Sequence, residues 1–381
     1  MKLAGDWLHH SGTKALFAGL DAGGHQTLFV GGCVRNAVMG LPVADIDIAT
    51  AATPDVVTDL CKRAGLRVVP TGIEHGTVTV IAGGKPHEVT TFRADTATDG
   101  RHARVAFGTD ITVDAARRDF TMNALYARAD GMVVDPLVGL PDVVARRVRF
   151  VGDPGARIIE DYLRILRFFR FHAVYGDLTL GIDPEGLSAC AANSAGIDTL
   201  SRERIGQEMR KLLAAADPAP AVAAMAQAGV LGRILPGADP LALGPLVHLE
   251  MDLDPDWLRR LASLGGSDIE DRLRLSRAEA RDLAALREAI GSMETPAVLG
   301  WRLGRQRASD AMLLRAALMD APLPVGWQQD IARGAAATFP VTAADLMPDV
   351  TGAALGQRLK TLETRWIASD LHARRGDLLK S

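Results

Sequence analysis

The chain has 381 residues, enough for two or three domains. Its hydrophobic share is 48%, its charged share 23% and its formal net charge −3, which excludes a fibrous or highly charged disordered chain and any global attraction to nucleic acid. Three scattered cysteines, Cys33, Cys61 and Cys190, exclude a disulfide framework and fit a reducing cytoplasm.

No apolar run approaches the roughly 20 residues that span a bilayer, and no signal peptide is visible, so no membrane partner is expected. In chain order, "TLFVGG" reads as a buried strand ending in a turn at Gly31-Gly32. "ADIDIAT" alternates with period two and reads as the next strand. "GTVTVIAGGKPHEVTTFR" reads as a hairpin broken at Gly83-Gly84. The polar stretch from Asp95 to Asp114 reads mostly as a mobile loop. "DGMVVDP" and "RRVRFVGD" read as further short strands.

From Asp153 the pattern turns helical, with Ile159, Tyr162, Leu163, Leu166 and Phe169 at helix spacing. Asp153 before Pro154 marks the start of that helix. Alanine- and leucine-rich helical patterns then run to the end. The expected fold is an α/β head with a mixed or antiparallel sheet, residues 1–150, then an all-α neck, 151–215, and an all-α body and tail, 216–381.

Two carboxylates interrupt the second strand. Residues two apart on a strand share a face, so Asp45 and Asp47 would stand side by side. Two such charges repel unless a cation lies between them, and hard oxygen ligands with substrate phosphates suit Mg²⁺. Glu88, on the hairpin's second strand, is a candidate third carboxylate, a contact supporting the metal ligands from behind, or a solvated strand residue. Gly31 and Gly32 let backbone approach a phosphate closely, and Arg35 offers a guanidinium to the same group.

Five motifs then stand in order: "GGCVRN…DIDIAT", "RRDFTMNAL" (Arg117 to Leu125), "DPLVGLPDV" (Asp135 to Val143), "EDYLRILRFFRF" (Glu160 to Phe171) and "SRERIGQEMRKLL" (Ser201 to Leu213). Together they resemble the class II CCA tRNA nucleotidyltransferases and bacterial poly(A) polymerases, within the polymerase-β-like superfamily, over about residues 28 to 213. The resemblance implies a cytoplasmic, Mg²⁺-dependent enzyme that adds CCA to the 3′ end of tRNA from CTP and ATP.

It also implies site roles. Asp45 and Asp47 would be catalytic metal ligands. Gly31, Gly32 and Arg35 would hold the triphosphate, and Arg118 would reach phosphate or stand as surface charge. Asp119 and Asn123 would bond the ribose, or Asp119 would merely cap a helix. Asp161 and Arg164 would read the base edge, with Glu160 orienting Arg164; all three lie near one face if the helix is continuous. Arg167 and Arg170 continue that row toward phosphate, toward the RNA end, or as neck-surface charge. Arginines in "WLRRLA", "GWRLGRQRAS" and "TRWIASDLHARRGD" are candidate tRNA phosphate contacts or solvated helix faces. The family usually has Asp where this chain has Asn36. The rival outputs are CC-adding, A-adding or poly(A) synthesis, and the rival class is a non-catalytic RNA-binding protein.

Overall fold

The computed structural model describes residues 1–99, 102–250 and 253–380. Contacts divide the chain into two compact units, Met1–Glu208 with Pro220–Ile234, and Met209–Ala219 with Leu235–Ser381.

The first unit opens with helices α1 (Asp6–His9) and α2 (Ser11–Asp21), then β1 (Thr27–Val30), α3 (Gly32–Val38), β2 (Asp47–Thr50) and α4 (Pro54–Arg63). The strands β3 (Arg67–Val69), β4 (Thr77–Ala82) and β5 (Lys85–Thr91) follow. After them come β6 (Arg93–Asp99), β7 (His102–Phe107), α5 (Ile111–Ala116), β8 (Tyr126–Ala127), β9 (Val133–Val134) and α6 (Leu140–Val144). Seven strands form one sheet in the order β3-β4-β5-β2-β1-β8-β9. The β2–β5 pair is parallel and the other pairs are antiparallel, so the sheet is mixed.

Sequence pattern explains most of this. All four residues of β1 are buried, as an apolar run in the middle of a sheet requires. Along β4, Val78, Val80 and Ala82 are buried and alternate with less buried neighbours. Gly83 (φ 58°) and Gly84 (φ 77°) supply the two positive φ angles of the tight β4–β5 turn.

Three expectations change. The segment from Asp95 to Asp114 is not mainly loop: β6 and β7 pair as a two-stranded ribbon with a register shift between Asp95 and Ala97, and α5 follows. Asp110 caps α5 by accepting from the Thr112 N–H at 2.8 Å. Residues 100 and 101 lie outside the described residues. "RRVRFVGD" is not a strand; it contributes one bridge, Phe150 to Phe120. The helix from Asp153 is broken into α7 (Pro154–Glu160) and α8 (Leu163–Tyr175).

Asp153 does cap α7, accepting from the Ala156 N–H at 2.7 Å, with Pro154 in the first turn. At the break, Asp161 has extended backbone (φ −157°, ψ 104°). Its Oδ1 accepts from the Leu163 N–H at 3.1 Å and so starts α8. Apolar packing anchors α8 to the head: Phe168 stacks on Phe150 at 5.3 Å, and Phe150 meets Phe120 at 5.0 Å. Then come α9 (Pro184–Ala192) and α10 (Arg202–Leu213), in which the boundary between units falls.

The second unit is helical among its described residues. It overturns one expectation. Arg259 and Arg260 of "WLRRLA" are only 1% and 2% exposed. Arg260 bonds Glu250 at 2.8 Å, and Arg259 bonds Glu250 at 2.5 Å and Asp310 at 2.7 Å. Arg307 joins the group through Asp310 at 3.0 Å and Asp282 at 2.8 Å. Buried charges persist only when paired in this way, so Arg259 and Arg260 are internal struts and not tRNA contacts.

Candidate active site

Asp47 is the first residue of β2, and Asp45 sits two residues before it, outside the strand. Ile46 and Ile48 are buried, so the alternation runs through Asp45 even though strand pairing does not. Parallel pairing puts Glu88 of β5 in register with Asp47. The Asp47 carboxyl is pushed above the ordinary carboxylate range, first by burial and then by the charge of Glu88, against the opposing pull of Arg118. A carboxylate disfavoured in this way gains most from a cation. The donor set is all oxygen, which suits a hard divalent ion. Among the described residues no three acidic, His or Cys side chains converge as a ready metal cage.

The glycine turn follows β1. Gly31 has φ 71° and ψ −122°, a conformation that only glycine adopts without strain. A Cβ on Gly31 would lie 3.4 Å from Arg118 Nη1, so Arg118 faces the turn. Arg118 is held there by its Nε to the Tyr126 hydroxyl at 3.2 Å and its Nη2 to Asp114 at 3.1 Å. Asp114 is buried, and it also accepts from Tyr126 at 2.6 Å and Arg117 at 2.8 Å. Cys33, just past the turn, is inert: burial pushes its thiol up to about 11, and its Sγ–H points at the Val30 carbonyl at 3.3 Å.

Arg35 departs from its expected role. It is buried at 5% exposure. Its Nε and Nη2 donate to Asn36 Oδ1 at 3.1 and 2.8 Å, its Nη2 to the Tyr175 hydroxyl at 2.8 Å, and its Nη1 to Asn123 at 2.5 Å. A guanidinium spent in this way is a bracket between α3, the "RRDFTMNAL" segment and α8, not a hand free for phosphate. Asn36 orients Arg35: its Oδ1 accepts from the guanidinium while its Nδ2 donates to the Pro42 carbonyl at 2.9 Å.

Asp119 is equally committed. Its Oδ1 accepts from the Phe120 N–H and Asn123 Nδ2, both at 2.9 Å, and its Oδ2 from Arg167 Nε at 2.8 Å and Nη2 at 2.5 Å. Four donors fill the four lone-pair sites of a carboxylate, leaving none for a ribose hydroxyl. Asp119 and Asn123 therefore tie the head to α8. Burial by itself would raise the Asp119 carboxyl, but Arg167 and Asn123 hold it below the ordinary range.

The residues expected to read the base lie on both sides of the helix break. Arg164 Nη1 donates to Glu160 Oε2 at 2.5 Å and to the Arg157 carbonyl at 2.6 Å, so Glu160 does orient Arg164. Asp161 turns to another partner, accepting from Arg204 Nη2 at 2.6 Å. Arg157 bonds the carbonyls of Ala116 at 2.8 Å and Arg117 at 3.1 Å, and also Glu160. Arg170 bonds Glu208 of α10 at 2.5 Å. The guanidinium carbons of Arg35, Arg167 and Arg170 lie 5.4, 5.2 and 4.6 Å from the Phe171 ring centre, which gathers positive charge around that ring.

Comparison with known proteins bears on this arrangement. Residues 27–149 match the family described as "Poly A polymerase head domain", and residues 180–241 match "Probable RNA and SrmB-binding site of polymerase A". The Homo sapiens mitochondrial CCA tRNA nucleotidyltransferase 1 is 42% identical over 207 residues, 54% of this chain and 48% of that protein. The Geobacillus thermodenitrificans CCA-adding enzyme is 34% identical over 314 residues, 82% of this chain and 71% of that protein. The chain belongs to the class II CCA-adding enzyme and poly(A) polymerase family. A crystal structure of the Bacillus stearothermophilus CCA-adding enzyme in complex with CTP superposes with a TM-score of 0.70 at 26% identity, covering 94% of this chain and 93% of that one. The chain spans about half the length of the curated CCA-adding relatives it first matches.

Several residues that join these side-chain networks escape sequence reading. Asp114 had a usable signal, standing three and four residues before Arg117 and Arg118. Arg157 stands three residues before Glu160 in the same way. Tyr175 had none, since its partner lies 140 residues away; Arg204 and Glu208 stand inside the motif "SRERIGQEMRKLL", but nothing local named their partners, 43 and 38 residues away. No helix among the described residues is long and apolar enough to cross a membrane.

Proposed function

We propose that the chain extends the 3′ end of tRNA by C, C and A, using CTP and ATP and no nucleic-acid template. One observation carries the reading: at the head of α8 a carboxylate acceptor, Asp161, and a guanidinium donor, Arg164, stand three residues apart, each held by a different partner. Cytosine offers an N4 amino donor beside the N3 and O2 acceptors, and adenine an amino donor beside a ring-nitrogen acceptor. Both match that pair. Uracil and guanine present a carbonyl and an N–H there, which would leave buried polar groups unpaired.

In this reading the substrate 3′-hydroxyl oxygen bonds to the α-phosphorus of the nucleotide, the bond to pyrophosphate breaks, and the hydroxyl proton is lost to solvent. Asp45 and Asp47 would hold Mg²⁺, which supplies Lewis-acid neutralisation of the phosphates and acidifies the hydroxyl. The turn at Gly31 and Gly32, with Arg118 Nη1 against it, would receive the triphosphate, and Arg167 and Arg170 add positive charge. Arg35, Asn36, Asp119 and Asn123 keep head and α8 in register, so that sugar and base arrive together. Three unpaired, buried cysteines suit a reducing compartment, and we place the activity in the cytoplasm.

The test is nucleotide choice. Wild type, Asp161→Ala and Arg164→Ala are each given Mg²⁺, tRNA trimmed of its last three nucleotides, and one of the four nucleoside triphosphates. The reading predicts incorporation of C by wild type, discrimination against U and G of about 100-fold, and its collapse in both variants. Unchanged discrimination in the variants would refute a protein template.

A further inference from the structure

Asp161 and Arg164 pose a physical problem. An aspartate and an arginine three residues apart at the start of a helix are placed to pair with each other. If they did, the carboxylate oxygens and guanidinium N–H groups would satisfy one another and offer nothing to a base. No such pair forms here. Glu160 takes the Arg164 guanidinium from one side. From the other side Arg204, on α10, takes Asp161 Oδ2 at 2.6 Å.

We propose that Arg204 is the positioning residue of the base-reading site: it keeps Asp161 from collapsing onto Arg164 and fixes the direction in which that carboxylate accepts. The inference rests on Asp161 and Arg164 reading the base. Three observations support it. First, Asp161 is steered at both oxygens, by the Leu163 N–H at 3.1 Å and by Arg204, which leaves lone pairs on each oxygen in fixed directions. Second, the backbone at Asp161 is extended, so its side chain leaves the chain at the helix break and not along the face of α8. Third, Arg204 has a companion one turn further along α10. Glu208, 5% exposed, holds Arg170. The two α10 residues carry opposite charges and grip opposite charges around α8, so the pairing tolerates only one register. The side chains of Asp161 and Arg204 are 26% and 24% exposed, so the pair is reachable by a base edge without being fully solvated.

The consequence is specific to choice and not to chemistry. Arg204 is not placed against the reacting atoms, so its loss should raise KM for CTP and ATP and leave KM for UTP and GTP nearly unchanged. The experiment measures single-nucleotide kcat/KM for all four triphosphates on trimmed tRNA, with wild type, Arg204→Met, Arg204→Lys, Asp161→Ala and the double variant Asp161→Ala/Arg204→Met. Thermal melting checks that each is folded, and Arg204→Gln replaces the methionine variant if that one is not. The expected result is a loss of about tenfold in discrimination for Arg204→Met, mostly in KM, partial recovery with lysine, and a double variant no less selective than Asp161→Ala. A uniform fall in kcat for all four nucleotides, or unchanged discrimination in Arg204→Met while Asp161→Ala loses it, would overturn the role of Arg204 and leave the base-reading site standing. Retained discrimination in Asp161→Ala would overturn the reading site itself, and Arg204's role with it.

Discussion

Asp119→Ala tests the account of how the head and α8 are joined. The substitution removes one carboxylate that accepts from four donors: two on Arg167, one on Asn123 and the Phe120 N–H. All four bonds are charge-assisted because the acceptor is an ionised carboxylate, and the two from Arg167 also pair opposite charges, so the gross loss would exceed about 5 kcal/mol if nothing replaced them. Something does replace them. The Arg167 side chain is 31% exposed, so water recovers part of its hydration, while Asp119 at 12% is the less solvated partner. A net cost of about 3 kcal/mol follows, near the low end for breaking a largely buried pair. For a folding unit of roughly 200 residues that lowers the melting temperature by about 6 to 12 °C.

The assay is thermal melting across pH, read on wild type, Asp119→Ala, Arg167→Ala and the double variant. The Asp119 carboxyl lies below its ordinary value of 3.8 in the folded chain because Arg167 and Asn123 outweigh burial. A depressed carboxyl contributes stability above its unfolded pKa and loses it as pH falls through the folded one. The gap between wild type and Asp119→Ala should therefore be full at neutral pH and narrow below about pH 4. The double variant should cost less than the two single ones summed, because removing both charges strands neither. A single variant melting within about 2 °C of wild type, with additive effects, would refute the reasoning.

Other predictions concern the metal half of the site and the second unit. Asp47 is raised above its ordinary value by burial and by Glu88, so its charged form burdens the folded state at any pH above that value. Asp47→Asn should accordingly melt at or above wild type in the presence of a chelator at pH 7, gain nothing from Mg²⁺ where wild type does, and transfer no nucleotide. Gly31→Ala should lose stability by about 1 to 3 kcal/mol, since φ 71° with ψ −122° strains any side chain, and should raise KM for nucleotide; denaturant titration and steady-state kinetics check both. Arg259→Ala should destabilise by about 3 to 5 kcal/mol by stranding Glu250 and Asp310. Among partly unfolding-resistant preparations its tRNA affinity, measured by filter binding, should match wild type.

What the sequence makes legible is local. The β4–β5 hairpin was readable because Val and Thr alternate and Gly83-Gly84 takes without steric cost the two positive φ angles that a two-residue turn needs. The carboxylates were readable because Ile46 and Ile48 reveal the buried face that Asp45 and Asp47 do not share. The break at Asp161 was not readable, because Ile159, Tyr162 and Leu163 keep helical spacing straight through it. Nor was the fate of the arginines. Arg35, Arg167 and Arg259 look alike in sequence, and each is decided by a distant acceptor: Tyr175 and Asn123, Asp119, and Asp310. The β6–β7 ribbon was missed for a different reason, since backbone pairing alone can form from a polar segment with weak alternation.

The most direct measurement of the central claim is the sequence of the product. The full chain is incubated with Mg²⁺, CTP, ATP and tRNA trimmed of its last three nucleotides, and the new 3′ ends are sequenced. The account predicts that growth stops after C, C and A, and after two C when ATP is withheld. Long runs of A, addition of A alone or of C alone with both nucleotides present, or no addition at all would contradict it.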